Sequence, residues 1–456
     1  MKDLTQGSVT KHLLQLSALL AVSVVLQTLY YLVDLYWVGR LGKEAVAAVG
    51  LAGNQMLVVL ALTQMLGVGT TTLISHAVGR KDHEQARLVF NQSLVFSTLL
   101  GTGFALIAWL TREAYCRWLG ADAQTAALGL AYLRWFIPVL WLQFLLVGMG
   151  AALRGTGNVR PGVAVQALTV LLNIGLAPIL IFGWGTGRPL GVAGAALASF
   201  LAVLVGLGAL LIYFLRVATY LKFAPRDWRP QTAIWWGMAK VGAPAGAEFA
   251  LLSVYLVLVY SIIRQFGAAA QAGFGIGGRV MQSLFLPALA IAFALSPLAG
   301  QNYGARLPER VRESFRSASL LCSGLMLALT LVCQAAPAAL MSPFSKDPEV
   351  IAFGVQYLRI ISWNFVISGL IFTTGSMFQA LGNTLPSLAC SSLRIVIFAL
   401  PAYLLSLRPG FDIRQVWYLS LGTVAVQGAM NLVLLRREFA RKLGGMEPAL
   451  AVEEAV

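Results

Sequence analysis

Runs of about 20 predominantly apolar residues recur along this chain, the first starting near Leu13 and the last ending near Leu435. Each is long enough to cross about 30 Å of hydrocarbon. Backbone inside a bilayer must satisfy its own polar groups, which leaves helices or a closed barrel. The alternating pattern of barrel strands, about 10 residues per strand, is absent. These constraints predict an all-α integral membrane protein. Composition agrees: 58% of the 456 residues are hydrophobic and 11% are charged, against about 25% charged in an ordinary soluble domain.

Twelve transmembrane helices are predicted, at roughly 13–38, 46–75, 88–110, 128–152, 161–183, 190–215, 242–264, 272–299, 315–336, 353–380, 385–407 and 414–435. A polar stretch, "TYLKFAPRDWRPQ", divides the first six from the last six. The domain reading is an N-lobe at 1–218, an inter-lobe linker at 219–240, a C-lobe at 241–436 and a tail at 437–456. Basic residues are uneven across the loops. With both termini on one side, that side holds 20 and the other 9, which places the termini, linker and tail in the cytoplasm of a bacterial-type inner membrane. The start, "MKDLTQGSVTKHLLQL", reads as uncleaved. The net charge of +15 belongs to these loops rather than to a nucleic-acid surface.

The chain also repeats itself. Tyr132-Leu133-Arg134 matches Tyr357-Leu358-Arg359, Gly157-Asn158 matches Gly382-Asn383, and Pro161 matches Pro386. Gly79, Glu84 and Arg87 match Gly304, Glu309 and Arg312. Every pair is 225 residues apart. One ungapped offset over four spans makes the lobes homologous. Six spans per lobe is an even number, so the repeat is parallel, and such folds bind substrate between the lobes.

Of the 18 acidic residues, two fall inside spans: Asp34 in "YYLVDLYWVG" and Glu248 in span 7. A carboxylate at the centre of a span costs roughly 2.5–3.5 kcal/mol. Desolvation penalises its charged form, so it is neutral or paired with a cation. Either state suits a carrier for a proton or Na⁺; the alternative for Asp34, with Gly39-Arg40 following within two turns, is a place nearer the outer leaflet from which it reaches the interface. The repeat places Val259 at the position of Asp34 and Ser23 at that of Glu248, so the scaffold itself requires neither acid. This asymmetry assigns cation coupling to the N-lobe. Glu248 follows Pro244 by one turn and either binds a cationic substrate or caps the kink. Asn173, deep in span 5 and one turn before Pro178, needs a partner for its amide: a cation or water near Asp34, or another helix. Arg279 and Arg394 lie in spans 8 and 11 and either pair with Glu248 or reach an interface. Gln27, Tyr30, Glu248 and Arg279 are taken as substrate contacts.

Other features carry no chemistry. Gly273, Gly275 and Gly278 match GxGxxG, but no strand precedes them. Helix packing is the reading there, and at the repeat partners Gly50 and Gly53. Cys116, Cys322, Cys333 and Cys390 have no metal or disulfide spacing. No nucleotide, hydrolase or metalloprotease motif is present, so an enzyme and a resident cofactor are not expected.

The segments "LVDLYWVGRLG", "SHAVGRKDHEQAR", "ALRGTGN", "SPLAGQNYGA" and "MFQALGN" together resemble multidrug and toxic compound extrusion (MATE) transporters over nearly the whole chain. That resemblance implies export of drugs and other small cationic or amphipathic compounds in exchange for H⁺ or Na⁺, by alternating access between two lobes. The N-lobe resembles the DNA-damage-inducible protein F-like branch: Asp34 and Asn173 match its span 1 aspartate and span 5 asparagine. Ser199 stands where a span 6 hydroxyl is often found. Where that branch has a second aspartate, this chain has Ala177. One carboxylate suits a single proton, and a full Na⁺ cage lacks that ligand. The other branch's span 7 glutamate would fall at Leu252, not Glu248. The expected partners are a small-molecule substrate and membrane lipid, without nucleic acid, and the expected state is a monomer. The alternative function is a flippase for a lipid-linked oligosaccharide or related precursor, on the same two-lobe plan.

Overall fold

The computed structural model describes residues 3–185, 187–218 and 220–446. Among them the regular structure is helical: α1 (Val9–Gly39), α2 (Lys43–Gly79), α3 (His83–Leu119), α4 (Ala123–Gly155), α5 (Arg160–Phe182), α6 (Gly191–Arg216), α7 (Thr232–Ile263), α8 (Gly267–Gly304), α9 (Pro308–Ala335), the short α10 (Pro337–Met341), α11 (Pro348–Ile361), α12 (Phe365–Ala380), α13 (Leu385–Ser406) and α14 (Arg414–Leu443). Eleven apolar segments are long enough to cross a membrane, but one of them, Thr232–Gly304, has 73 residues. As one straight helix it would measure about 110 Å. Instead a 3-10 turn at Arg264–Phe266 and Gly267, at φ 85°, break it. The rings of Tyr260 and Phe274 lie 5.0 Å apart, so α7 and α8 double back as two crossings. A second compound segment, Pro348–Ala380, joins α11 to α12 through a 3-10 turn at Ser362–Asn364. The expected twelve crossings are present.

The repeat is written into the backbone. Lys81 and Arg306, 225 apart, both take the left-handed conformation, at φ 58° and 57°. Around them the same three bonds close the turn: Arg80, Lys81 and Asp82 donate to His76, Val78 and Ala77, and Ala305, Arg306 and Leu307 donate to Gln301, Tyr303 and Asn302. Gly157 and Gly382 repeat this after α4 and α12, at φ 72° and 71°. The next residues match as well: Asn158 donates to the Tyr213 hydroxyl, and Asn383 donates to Glu438, at the repeat position of Tyr213.

The chain forms two compact units whose borders fall inside helices. One unit is Val22–Gly246. The other combines Leu4–Ala21 with the chain from Ala247 onward. The first halves of α1 and α7 thus each belong to the unit made mostly of the other repeat. In the first unit, α7 approaches α2 through glycines. Gly242 faces Met65, Gly246 faces Ala61, and Gly69 faces Met238, each against backbone where a Cβ would collide. Removing side chains lets the two backbones meet.

Helix α7 begins at Thr232, within the stretch read as linker, and α14 extends to Leu443, past the reading of the tail. The segment before α7 is fastened to α3. The fully buried Asn91 donates to the Lys222 carbonyl and accepts from Ala224 N–H and the Trp228 indole. Gln92 donates to the carbonyls of Asp227 and Arg229 and accepts from Gln231 N–H. Arg87 pairs with Asp227 at 2.9 Å.

In the second unit, Phe274 stacks on Trp417 at 5.7 Å within a core that includes Val259, Tyr357 and Phe398. Leu4, fully buried, donates its N–H to Gln301 and accepts from Asn302. Gly273 and Gly277 pack against Phe353 and Tyr357 of α11, and Gly275 meets the Tyr260 hydroxyl. Gly278, Gly50 and Gly53 face open space, so the packing reading does not extend to them.

Candidate functional site

Asp34 lies in the second half of α1, in the first unit. Its Oδ1 is shielded and has no hydrogen-bond partner. Tyr30, one turn earlier, meets Ser199 of α6 through its hydroxyl and lies within electrostatic reach of Asp34. Asn173 of α5, fully buried, donates from Nδ2 to Ser199 Oγ at 3.2 Å, while its Oδ1 has no partner. Tyr132 of α4 closes on the same group, within reach of Asp34 and Tyr30. The structure therefore brings the three expected coupling residues, Asp34, Asn173 and Ser199, into one cluster of four helices. Ser199 accepts from Asn173, and two acceptor oxygens are left over. Unpaired buried acceptors are expensive, and a proton or a cation relieves the cost.

Ala177, where the resembled branch carries its second aspartate, is fully buried in an apolar cluster with Val38, Ala45, Ile137 and Ala198.

The expected substrate contacts scatter. Tyr30 is engaged with Ser199. Gln27 is exposed and meets Tyr31 rather than Tyr30. Glu248, in the second unit, lies beside Ser387 of α13 with Oε1 shielded and unpartnered. Arg279 is exposed on α8. Among the described residues no ion pair joins Glu248 to Arg279 or Arg394, so the pairing considered from sequence does not form. Arg394 instead donates to Gln427 at 3.4 Å.

A family model described as MatE matches residues 20–179 and 244–404. The chain belongs to the MatE family. Its two matches end 225 residues apart, which is the offset of the internal repeat. A Shewanella oneidensis protein named FAD transporter is 26% identical over 88% of this chain and 89% of its own length. A multidrug export protein, MepA of Staphylococcus saprophyticus, is 25% identical over 95% of each chain. A solved structure described as the outward-facing conformation of a multidrug resistance MATE family transporter superposes with a TM-score of 0.88, at 26% identity, covering 96% of this chain and 98% of that one. The protein is accordingly a multi-pass membrane transporter rather than an enzyme.

Within this MatE chain, sequence reasoning did not assign Tyr132 to the Asp34 cluster. Its only signal was its place in the repeated Tyr-Leu-Arg triplet, which marks both lobes equally. Asn91 and Gln92 were also missed. Two adjacent amides early in a span are a visible oddity, but what they hold lies more than 130 residues away.

Proposed function

We propose that the protein is a secondary active antiporter that exports small cationic or amphipathic organic compounds in exchange for H⁺ or Na⁺. The observation that carries this is the shielded, unpartnered carboxylate oxygen of Asp34, one helical turn from Tyr30, whose hydroxyl meets the Ser199 that Asn173 bonds. A neutralising ion makes Asp34 compatible with its surroundings, and loss of the ion does not. Ion occupancy therefore biases the protein between two packings, which is what alternating access requires. Asn173 and Ser199 supply oxygens for the ion, and Tyr30 orients Ser199. Glu248, beside Ser387 and without an ion-pair partner among the described residues, receives the positive group of a substrate. Relatives named for multidrug export and for FAD transport support small organic cargo.

On this reading the protein is a monomer of the DNA-damage-inducible protein F-like branch, in the inner membrane, with both termini in the cytoplasm. A cavity lined with arginines would favour the flippase alternative; Arg279 is exposed on α8, whereas Arg394 is held by Gln427 of α14. The test is ethidium movement in proteoliposomes with a proton gradient and a Na⁺ gradient imposed separately, beside a lipid-flipping assay. Uphill ethidium transport with one of the two gradients is expected. Lipid flipping without ethidium transport overturns the proposal.

A further inference from the structure

Arg394 is the tenth residue of the 22-residue helix α13, close to its middle. Its only described polar partner is neutral: Nη1 donates to Gln427 Oε1 at 3.4 Å, a long bond. Nε is shielded and has no partner. In the same unit the paired carboxylates belong to other cations: Glu309 to Arg312, Asp412 to Arg414, and Glu438 to Arg441 and Lys442. Glu248 sits beside Ser387 and within reach of Cys390 on α13, yet forms no ion pair with Arg394. An arginine midway along a membrane helix without a counter-charge marks a function by default.

The surroundings are built to hold it. The guanidinium lies over the Tyr255 ring, 5.2 Å from its centre, which fixes its plane. Gln427, buried, donates onward to Ser391 Oγ at 3.0 Å. The Tyr255 hydroxyl lies 3.5 Å from Ser420 Oγ. The internal repeat shows what this arrangement is. Tyr255 stands 225 residues after Tyr30. Tyr30 meets a serine of α6, the last helix of its repeat, and Tyr255 meets a serine of α14, the last helix of its own. Beside Tyr30 the scaffold places a carboxylate with unfilled acceptors. Beside Tyr255 it places a guanidinium with unfilled donors. The two charges are not repeat partners, since Asp34 corresponds to Val259 and Arg394 to Thr169, but the paired tyrosines stand beside charges of opposite sign.

We propose that Arg394, with Gln427, Ser391 and Tyr255, forms a binding site for the acid group of an organic anion or zwitterion: a carboxylate or phosphate ester on a small aromatic or amphipathic molecule. Two parallel N–H groups of a guanidinium match two acid oxygens. Such a ligand supplies the missing charge. The site does not depend on the export reading, because its test measures binding alone.

The experiment is thermal unfolding of the purified full-length protein in detergent with increasing benzoate or phenyl phosphate, against uncharged methyl benzoate. Ligand binding to the folded state raises the midpoint with the logarithm of ligand concentration above Kd. The acids are expected to protect and the ester not. Arg394→Gln is expected to weaken acid binding about tenfold or more, since charge-assisted bonds are lost. Gln427→Glu keeps the arginine but supplies an internal carboxylate, and is expected to abolish protection. It carries the test if Arg394→Gln fails to fold. Phosphatidylglycerol against phosphatidylcholine forms a parallel arm. Protection by phosphatidylglycerol alone, lost in the variants, supports the site with a lipid headgroup as its ligand. Equal protection by acid and ester, protection that survives both substitutions, or no protection by any anion overturns the assignment.

Discussion

Replacing Asp34 by Asn changes one atom and removes one titratable group. Asp34 Oδ1 has no hydrogen-bond partner to lose. Inserting a charge at mid-span costs roughly 2.5–3.5 kcal/mol, so the neutral amide is expected to leave the thermal midpoint unchanged or higher. Transport responds in the opposite direction. A single proton moving inward through 100 mV supplies about 2.3 kcal/mol, which sustains roughly a 50-fold gradient of a neutral substrate. For a monovalent cation such as ethidium, one-for-one exchange moves no net charge. The membrane potential then drops out, and a tenfold proton gradient, about 1.4 kcal/mol, sustains a tenfold gradient of dye. The variant is expected to bind ethidium and carry it down its electrochemical gradient, stopping at equal concentrations when the potential is zero whatever the pH difference. The assay is dye accumulation in proteoliposomes with the pH difference and the potential set independently. Accumulation by Asp34→Asn to the wild-type ratio under the same gradients would refute the coupling role.

Three further outcomes are expected. Asn91→Ala removes the part-buried bonds to the Lys222 carbonyl, the Ala224 N–H and the Trp228 indole, at roughly 0.5–1.5 kcal/mol for each bond. A lower thermal midpoint and faster proteolysis in the 222–228 segment should follow, and wild-type values for both would contradict the anchoring. Gly69→Ala puts a Cβ 2.8 Å from the Met238 Cα, whereas Gly53→Ala meets nothing within 4 Å. The first should cost about 1–3 kcal/mol as overpacking and the second should be neutral, read as thermal midpoints of the two purified variants. Reporter tags at Met1, after Arg226 and at the C-terminus should all give cytoplasmic signals, as the 20-to-9 basic bias requires. An external signal at any of the three contradicts that orientation.

The spans, the two lobes and the isolated acids could be read from the chain alone because each is a one-dimensional property. Apolar length is a local sum, the repeat is a constant offset, and a carboxylate between Val33 and Leu35 stands out wherever the helix goes. What a side chain meets is different, because it depends on how each helix is rotated about its axis and which neighbours it packs against. Sequence left Asn173 either near Asp34 or bonded to another helix; packing bonds it to Ser199, which Tyr30 meets one turn from Asp34. It offered Glu248 as a partner for Arg394, and packing gave Arg394 to Gln427 and the face of Tyr255. It put the lobe border in the polar linker, where composition changes. The compact units divide inside α1 and α7, because the glycine contacts of α7 with α2 and the bonds from Leu4 to α8 bind those helix halves more closely than chain continuity does.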